Sequence, residues 1–155
     1  MDEAAKKTAL RMIPYGIYVL TARGGDGSVA AATVNWVTQT SFKPPLVAVA
    51  VKADSGAHGI VKSSRAFALN VLGKGQQKLA FAFFKPASVE GDTISGEKFR
   101  AGSTGAPLLD NAAAFVECRV VNSVEGGDHT VFVAEVVEAG VAKARSYGLT
   151  VVAAD

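Results

Sequence analysis

The feature that most constrains the fold of this chain is a series of short apolar runs separated by turn-forming residues. LVAVAV (46–51) is apolar throughout and AFALNVL (66–72) is apolar except for Asn70, as buried strands are, whereas AFVECRVV (114–121) alternates between two faces. The turn sequences RGGDGS (23–28) and EGGDH (125–129) each join two runs as a hairpin. This spacing predicts a mainly β protein with about six or seven strands in an antiparallel barrel, and not a parallel α/β sheet.

Short helices are predicted in the connections of this barrel. Residues 2–13 predict a helix that ends at Pro14. Its apolar residues share one face and are Ala5, Ala9, Met12 and Ile13. Ser55 is the predicted N-cap of a second helix. Residues 75–84 predict a third helix, whose core-facing stripe consists of Leu79, Ala80, Phe83 and Phe84.

The remaining segments complete one predicted domain over residues 1–155. Residues 85–110 are rich in Gly, Ser, Thr and Pro, which predicts the longest irregular stretch of the chain. GLTVVAA (148–154) is a candidate last strand. There is no internal repeat and no linker.

Composition excludes several classes of protein. A net charge of +2 without a run of Lys or Arg gives no indication of nucleic-acid binding. The single cysteine, Cys118, cannot form an intramolecular disulfide, and with two distant histidines it makes a Cys/His metal site an unfavoured interpretation. The N-terminus lacks the apolar core of a signal peptide, and no apolar run approaches the roughly 20 residues of a membrane span. We therefore expect a cytoplasmic protein without membrane contact.

The hydrophobic content, 49%, exceeds what a small barrel can absorb in its interior. Part of the apolar surface is therefore expected to form a two-fold interface between subunits, since this is the commonest closed assembly. Familiar nucleotide and hydrolase motifs are absent: there is no Gly-x-Gly-x-x-Gly after a strand, no P-loop and no Gly-x-Ser-x-Gly elbow.

Polar side chains are concentrated in NWVTQTS, between an apolar strand and a Pro-Pro turn. The segment comprises Asn35, Trp36, Val37, Thr38, Gln39, Thr40 and Ser41. Amide, hydroxyl and backbone groups in this mixture suit a planar heterocycle with carbonyls and ring nitrogens. The alternative is an ordinary polar strand end or connecting loop.

The segment VKADSGAH (51–58) combines a cation with a predicted helix start. Lys52 and Ser55, together with the unpaired N–H groups of the first helical turn, would suit a phosphate group. The alternatives are a surface lysine at position 52, a simple cap at Ser55 and a helix-face residue at His58. A single ligand with a ring and a phosphate could use both this segment and the preceding one.

The tripeptide Gly-Gly-Asp occurs twice, and the second copy is followed by His129. A turn explains both copies of the tripeptide but does not explain the histidine. An imidazole beside Asp128 at the start of a strand can have its tautomer and orientation set by the carboxylate. The alternative is a histidine with a structural role.

In this order, these segments resemble the short flavin reductases of the FMN-binding split-barrel superfamily. The matching stretches are PYGIYVLTA (14–22), TVNWVTQTSFKPPLVAVAVK (33–52), FALNVLGKGQ (67–76), FVECRVV (115–121) and GGDHTVFVAEVVEA (126–139). The resemblance implies a six-stranded Greek-key barrel that dimerises, with FMN or FAD near the subunit interface. It also implies reduction of flavin by NADH or NADPH, with the reduced flavin often passing to a partner oxygenase or redox protein.

The resemblance also implies roles for individual residues. Asn35 to Ser41 would contact the isoalloxazine and ribityl chain, and Lys52, Ser55 and His58 would hold the phosphate. His129, next to Asp128, would lie near the nicotinamide, and Phe99 would lie near the flavin ring. Many members carry small hydroxyl residues where this chain has Asn35 and Trp36, and Ser or Thr where it has His58.

Two interpretations besides a flavin reductase stay open from the sequence. The first is an FMN-binding electron carrier that exchanges electrons with a partner and reacts poorly with NAD(P)H. The second is a barrel that binds a different apolar ligand. The preference for NADH or NADPH is also open.

Overall fold

The computed structural model describes residues 1–142 and 150–151. Its helices and strands, in chain order, are α1 (Glu3–Arg11), β1 (Tyr15–Gly16), β2 (Tyr18–Arg23), β3 (Val29–Val34), β4 (Val37–Ser41), β5 (Leu46–Lys52), α2 (Gly56–Ser64), β6 (Ala66–Val71), α3 (Gln77–Ala82), β7 (Val89–Glu90), β8 (Thr93–Ile94), β9 (Glu97–Ala101), β10 (Pro107–Leu109), β11 (Ala114–Glu125), β12 (His129–Val141) and β13 (Thr150–Val151). All strand pairs described are antiparallel.

Seven strands form the main sheet in the order β3-β2-β6-β11-β12-β5-β4. The two edge strands are consecutive in the chain and are joined by Asn35 and Trp36 alone, which keeps the edges close and closes the sheet into a barrel. Three hairpins and the β5–α2–β6 crossover give a Greek-key order. The predicted split barrel with short peripheral helices is confirmed.

The barrel interior is filled from alternate positions of its strands and from one face of α2. On β5, Val47, Val49 and Val51 are buried, whereas the residues between them are half-buried on the outer face. The interior cluster comprises Leu20, Ala22, Val47, Val49, Val51, Ala57, Val61, Phe67, Leu69, Cys118, Val120, Phe132 and Ala134. The run LVAVAV therefore has one face in the core and one face available for a further contact.

The prediction of an irregular stretch over residues 85–110 is wrong, because four short strands lie there. They form a separate sheet in the order β10-β9-β8-β7. Each strand has two to five residues, which is too short to produce a readable alternation. Tight turns with positive φ at Gly91 and Gly96 join them, and these glycines resemble loop composition in the sequence.

The third helix is shorter than predicted, and one residue of its stripe is misplaced. Leu79, Ala80 and Phe83 are buried in a second apolar cluster with Val19 and Ile94. Phe84 is 63% exposed and packs against Phe81 instead. The helix ends at Ala82, so the periodicity that placed Phe84 on the core side no longer applies there.

Helix α1 near the N-terminus and strand β13 near the C-terminus were both predicted from the sequence. Helix α1 forms as predicted, with the Asp2 carboxylate accepting hydrogen bonds from the N–H groups of Ala4 and Ala5. None of its residues is buried, so its apolar face does not pack on the core. β13 pairs with β1 and lies within the predicted last strand; the other residues of that prediction lie outside the described ones.

Candidate functional site

The imidazole of His129 lies at the start of β12, on the outer side of the barrel. His129 pairs in register with Lys52, the last residue of β5, and alternates with Thr130, which is buried. The His129 Nδ1 atom is 2.8 Å from Asp128 Oδ1. Because an ionised carboxylate only accepts hydrogen bonds, this contact makes Nδ1 the protonated nitrogen and leaves Nε2 for another partner.

The hydrogen bond from His129 lowers the pKa of the Asp128 carboxyl, and the electrostatic attraction of the imidazole acts in the same direction. Asp128 is therefore a carboxylate at neutral pH. Its side chain is 89% exposed, whereas that of His129 is 25% exposed. That Asp128 orients the imidazole stays a prediction, and this contact has the geometry that the prediction requires.

Trp36 packs against His129 and completes a cluster of three rings. The ring centroids of Trp36 and His129 are 4.6 Å apart with an interplanar angle of 55°. The ring of Tyr15 also contacts Trp36, with ring centroids 6.3 Å apart and an interplanar angle of 61°. Since the Trp36 carbonyl also accepts a hydrogen bond from Ala50 N at 3.0 Å, the tryptophan backbone is fixed to β5.

An open, largely apolar pocket of about 350 Å³ lies beside this ring cluster. Its walls are Tyr15, Trp36, Val37, Thr38, Ala48, Val49, Ala50 and Val131. Three residues of the predicted ring-binding segment therefore line one pocket. Gln39, Thr40 and Ser41 continue along β4 and do not line it. Asn35 lines a second pocket on the other side of Trp36.

The segment around Lys52 is tied to the same end of the barrel. Ala53 N donates a hydrogen bond of 2.9 Å to Asp128 O, which joins this loop to the turn before His129. Ser55 caps α2 as predicted, accepting from His58 N at 3.2 Å and donating to Lys52 O at 2.7 Å. The Lys52 ammonium is exposed and 3.6 Å from Asp54 Oδ1.

The imidazole of His58 lies inside the barrel wall and not beside Lys52. Its Nε2 atom is 2.8 Å from Thr130 Oγ1, and its ring packs against Phe132. His58 and His129 are thus on opposite sides of β12. The contact with Thr130 holds the first turn of α2 against the strand that carries His129.

A pocket of about 420 Å³ opens at the start of α2. It is lined by the first turn of α2, by β3 and by residues 83–87, including Ser55, Ile60, Phe84 and Lys85. The first N–H groups of a helix lack intrahelical partners and attract anions. Lys85 lies in the wall as a cation, but the wall also contains the Asp54 carboxylate, and Lys52 pairs with Asp54 without lining the pocket itself. A phosphate at this helix start would therefore have to take Lys52 from Asp54.

Phe99 lies outside the pockets described above. It packs against the second apolar cluster, beside β10, and lines neither the pocket at Trp36 nor the pocket at α2. Sequence reasoning missed Tyr15, which lines two pockets at Trp36, and Thr130, the partner of His58. Thr130 follows His129 on a strand, so its inward orientation was available from the two-residue period.

Other chemistry finds little support among the described residues. Within residues 1–142 and 150–151, no three His, Cys, Asp or Glu side chains group as they would around a metal ion. Burial, with a smaller contribution from Glu117, raises the pKa of the Cys118 thiol to about 12, so it stays protonated. None of the described helices has the length and apolarity needed to cross a membrane.

The fold is an antiparallel split β-barrel, and comparison with known families shows which family of such barrels it belongs to. The profile of the "Flavin reductase like domain" family matches residues 10–151. The chain belongs to this family.

Three curated relatives are 34–36% identical to this chain. The reductase component of 4-nitrophenol 4-monooxygenase/4-nitrocatechol 2-monooxygenase from Rhodococcus opacus is 34% identical, over 90% of this chain and 72% of its own. The NADH-dependent FAD reductase of Streptomyces globisporus is 36% identical, over 81% of this chain and 69% of its own. The chain spans 25% of a 34% identical diflavin flavoprotein from Synechocystis, and 93% of the chain is covered.

A solved structure supports the fold assignment. The NADH:FAD oxidoreductase of Streptomyces globisporus superposes with a TM-score of 0.80 and 33% identity, covering 96% of this chain and 82% of that one. The same enzyme has also been solved in complex with NAD and FAD fragments.

Proposed function

We propose that this protein is an NAD(P)H:flavin oxidoreductase, which binds FMN or FAD and reduces it with hydride from NADH or NADPH. The observation that carries the proposal is the position of His129, oriented by Asp128 and packed on Trp36, at the barrel end where α2 begins. Relatives named as flavin reductases, one with NADH and FAD in its name, support it. Bound flavin supplies the hydride acceptor, so the protein needs no nucleophile.

In this proposal the residues of the chain bind the flavin and orient the hydride donor. Lys52, Ser55 and the first turn of α2 hold the flavin phosphate, and His58 positions that turn through Thr130. The segment Asn35 to Ser41 supplies polar and aromatic contacts for the ring. Phe99 lies in the second apolar cluster and lines neither pocket, so it is left out of the proposed ring site.

His129 and Asp128 act on the hydride donor. With Nδ1 held by Asp128, the Nε2 atom of His129 faces away from the carboxylate. In the neutral imidazole Nε2 accepts a hydrogen bond from the carboxamide NH₂ of the nicotinamide, and in the imidazolium it donates to the amide oxygen or to the phosphates of the dinucleotide. Either contact would fix the donor over the flavin. Placement of this kind accounts for large rate effects, because misplacement by about 1 Å can cost on the order of a hundredfold.

The subunit is proposed to work as a homodimer through the outer face of β5 and β12. On this face Val131 of β12 lies between Ala50 of β5 and Val124 of β11. Beside them, Ala48 of β5 pairs with Val133 of β12. These small apolar side chains are half-buried or exposed in the single chain. Covering them with a second copy would bring two His129 sites to the interface margin.

Light scattering tests this assembly. We expect about twice the chain mass of 15.9 kDa. Val124→Glu, on the apolar face, should give monomers, whereas Val89→Glu, on β7, should not; both valines are exposed. A wild-type monomer that holds flavin at micromolar concentration would contradict the dimer.

A partner is proposed to receive the reduced flavin. One relative is named as the reductase component of a monooxygenase, and a solved neighbour as the flavin reductase of styrene monooxygenase. We propose that this chain supplies a partner oxygenase, another redox protein or free flavin. The single domain over residues 1–155 and the cytoplasmic location stay predictions of the sequence.

Steady-state oxidation of NADH and NADPH with added FMN, FAD or riboflavin tests the activity. Turnover should depend on flavin and should be abolished by its omission. An electron carrier, the alternative function, would bind flavin but oxidise neither nucleotide at a rate above the flavin-only control.

A further inference from the structure

Helix α1 turns its charged face towards the barrel. Glu3, Lys6, Lys7, Leu10 and Arg11 have the spacing of one helical face, and all five line a cavity of about 500 Å³. Tyr15, Asn35 and Trp36 form the opposite wall. These eight residues are called the α1 trough below. A helix that packs on a protein normally presents its apolar face, whereas four of the five α1 residues that line this cavity are charged.

The α1 trough carries positive charge. Lys6 forms an ion pair with Glu3 within the helix, which leaves Lys7 and Arg11 as the cations without an internal counterion on this face. Among the described residues, neither Lys7 nor Arg11 forms an ion pair. An arginine beside a lysine on an open wall is suited to a phosphate, which the guanidinium can bind with two hydrogen bonds.

The trough is continuous with the site at His129. Tyr15 and Trp36 line both the α1 trough and the apolar pocket beside the ring cluster, so the indole is a shared wall. A ligand that extends across Trp36 would place a planar end near His129 and an anionic end at Lys7 and Arg11. A nicotinamide dinucleotide has this distribution of chemistry.

We propose that the α1 trough binds the phosphate-bearing end of the nicotinamide dinucleotide, with Lys7 and Arg11 as the anion contacts. This inference rests on the proposed function and adds a binding site for its co-substrate. Because no residue of α1 is buried, its surface charges can be removed without opening the core.

The test is a comparison of Lys7→Ala/Arg11→Ala with the charge-matched control Lys43→Ala/Lys78→Ala, whose two lysines are exposed elsewhere. Flavin-loaded proteins are reduced anaerobically with varied NADH and NADPH, and flavin affinity is measured alongside. Each lost contact should raise the dinucleotide concentration for half-maximal reduction by roughly 1.5- to fivefold, as for an exposed ion pair. The limiting rate and flavin affinity should not change, and the salt dependence of binding should weaken.

The two dinucleotides distinguish the phosphate that is bound. A larger loss with NADPH assigns the trough to the 2′-phosphate, and equal losses assign it to the diphosphate; both support the inference. Wild-type concentration dependence in the double variant, with normal reduction, would overturn the inference and leave the proposed function intact. Loss of flavin affinity in the double variant would also overturn it. If wild type is reduced by neither nucleotide, the proposed function fails first.

Discussion

His129 and Trp36 lie in ring contact, with centroids 4.6 Å apart, although one begins β12 and the other joins β3 to β4. The barrel brings them together because β5 pairs with both β4 and β12. A residue that follows a Gly-Gly-Asp turn thereby faces the segment predicted to hold a flavin ring. The first Gly-Gly-Asp, between β2 and β3, joins two strands by a turn and has no such neighbour among the contacts described.

His129→Ala should slow flavin reduction and leave flavin binding nearly intact. The imidazole would position the hydride donor, so its loss should reduce the rate by roughly ten- to a thousandfold. Anaerobic stopped-flow reduction measures the rate, and titration with FMN measures affinity. A variant that reduces at the wild-type rate would show that His129 serves the turn alone; one that loses FMN would place His129 in the flavin site.

Lys52→Ala should weaken FMN binding through loss of a phosphate contact. A hydrogen bond to a charged group contributes about 1.5–3 kcal/mol, which corresponds to roughly ten- to a hundredfold in affinity. Riboflavin, which has no phosphate, should be affected far less. Lys62→Ala is the control, because this lysine lies in the last turn of α2 and pairs with Glu125. Equal losses for FMN and riboflavin would place the phosphate elsewhere.

Asn70→Ala should destabilise the fold by about 2–4 kcal/mol, since it leaves several buried groups without partners. The Asn70 amide is fully buried and donates to Val19 O and Thr21 Oγ1, while its oxygen accepts from Leu109 N. It thus joins the barrel to β10. Urea unfolding measures the effect against Asn122→Ala, an exposed control. A loss of unfolding free energy as small as that of the control would contradict this role of Asn70 in the core.

Stability should depend on Glu117 between neutral and acid pH. Burial by itself raises the pKa of this carboxyl, but hydrogen bonds donated by Thr104 and Ser103 outweigh it and hold the pKa below its usual 4.5. The stabilisation is therefore present above pH 4.5 and is lost as the pH falls through the lowered pKa.

Glu117→Gln should remove this dependence. We expect a loss of about 1–3 kcal/mol at pH 7, since hydrogen bonds to a charged group are removed. Urea unfolding across the acid range should show the difference from wild type shrinking as the pH falls. A difference that stays constant with pH would mean that the carboxylate charge is not what stabilises the 102–104 loop.

Much of the barrel could be predicted from the sequence, because its long hairpins carry strong local signals. The run at β5 is continuously apolar and the run at β11 alternates, and the turns before β3 and β12 are marked by Gly-Gly-Asp. The small sheet at β7–β10 was missed because strands of two to five residues are too short to show a readable period. Phe84 was misplaced because a helix end depends on tertiary contacts.

Chain segments at the candidate site were predictable, but the orientation of their side chains was not. Ser55 was recognised as a cap because capping is a local interaction. His58, three residues on, bonds to Thr130, a contact between distant segments that no local pattern reports. The orientation of α1 is a similar case, since its apolar residues predict a face but not which face the barrel meets.

Anaerobic mixing of flavin-loaded protein with NADH, and separately with NADPH, tests the central claim most directly. The visible absorbance of oxidised flavin should disappear with at least one of them, at a rate of about 1–1,000 s⁻¹, as for an ordinary enzyme. Readmission of air should restore the spectrum. Bound flavin that stays oxidised with both nucleotides would contradict the account and leave a flavin-binding electron carrier as the better description.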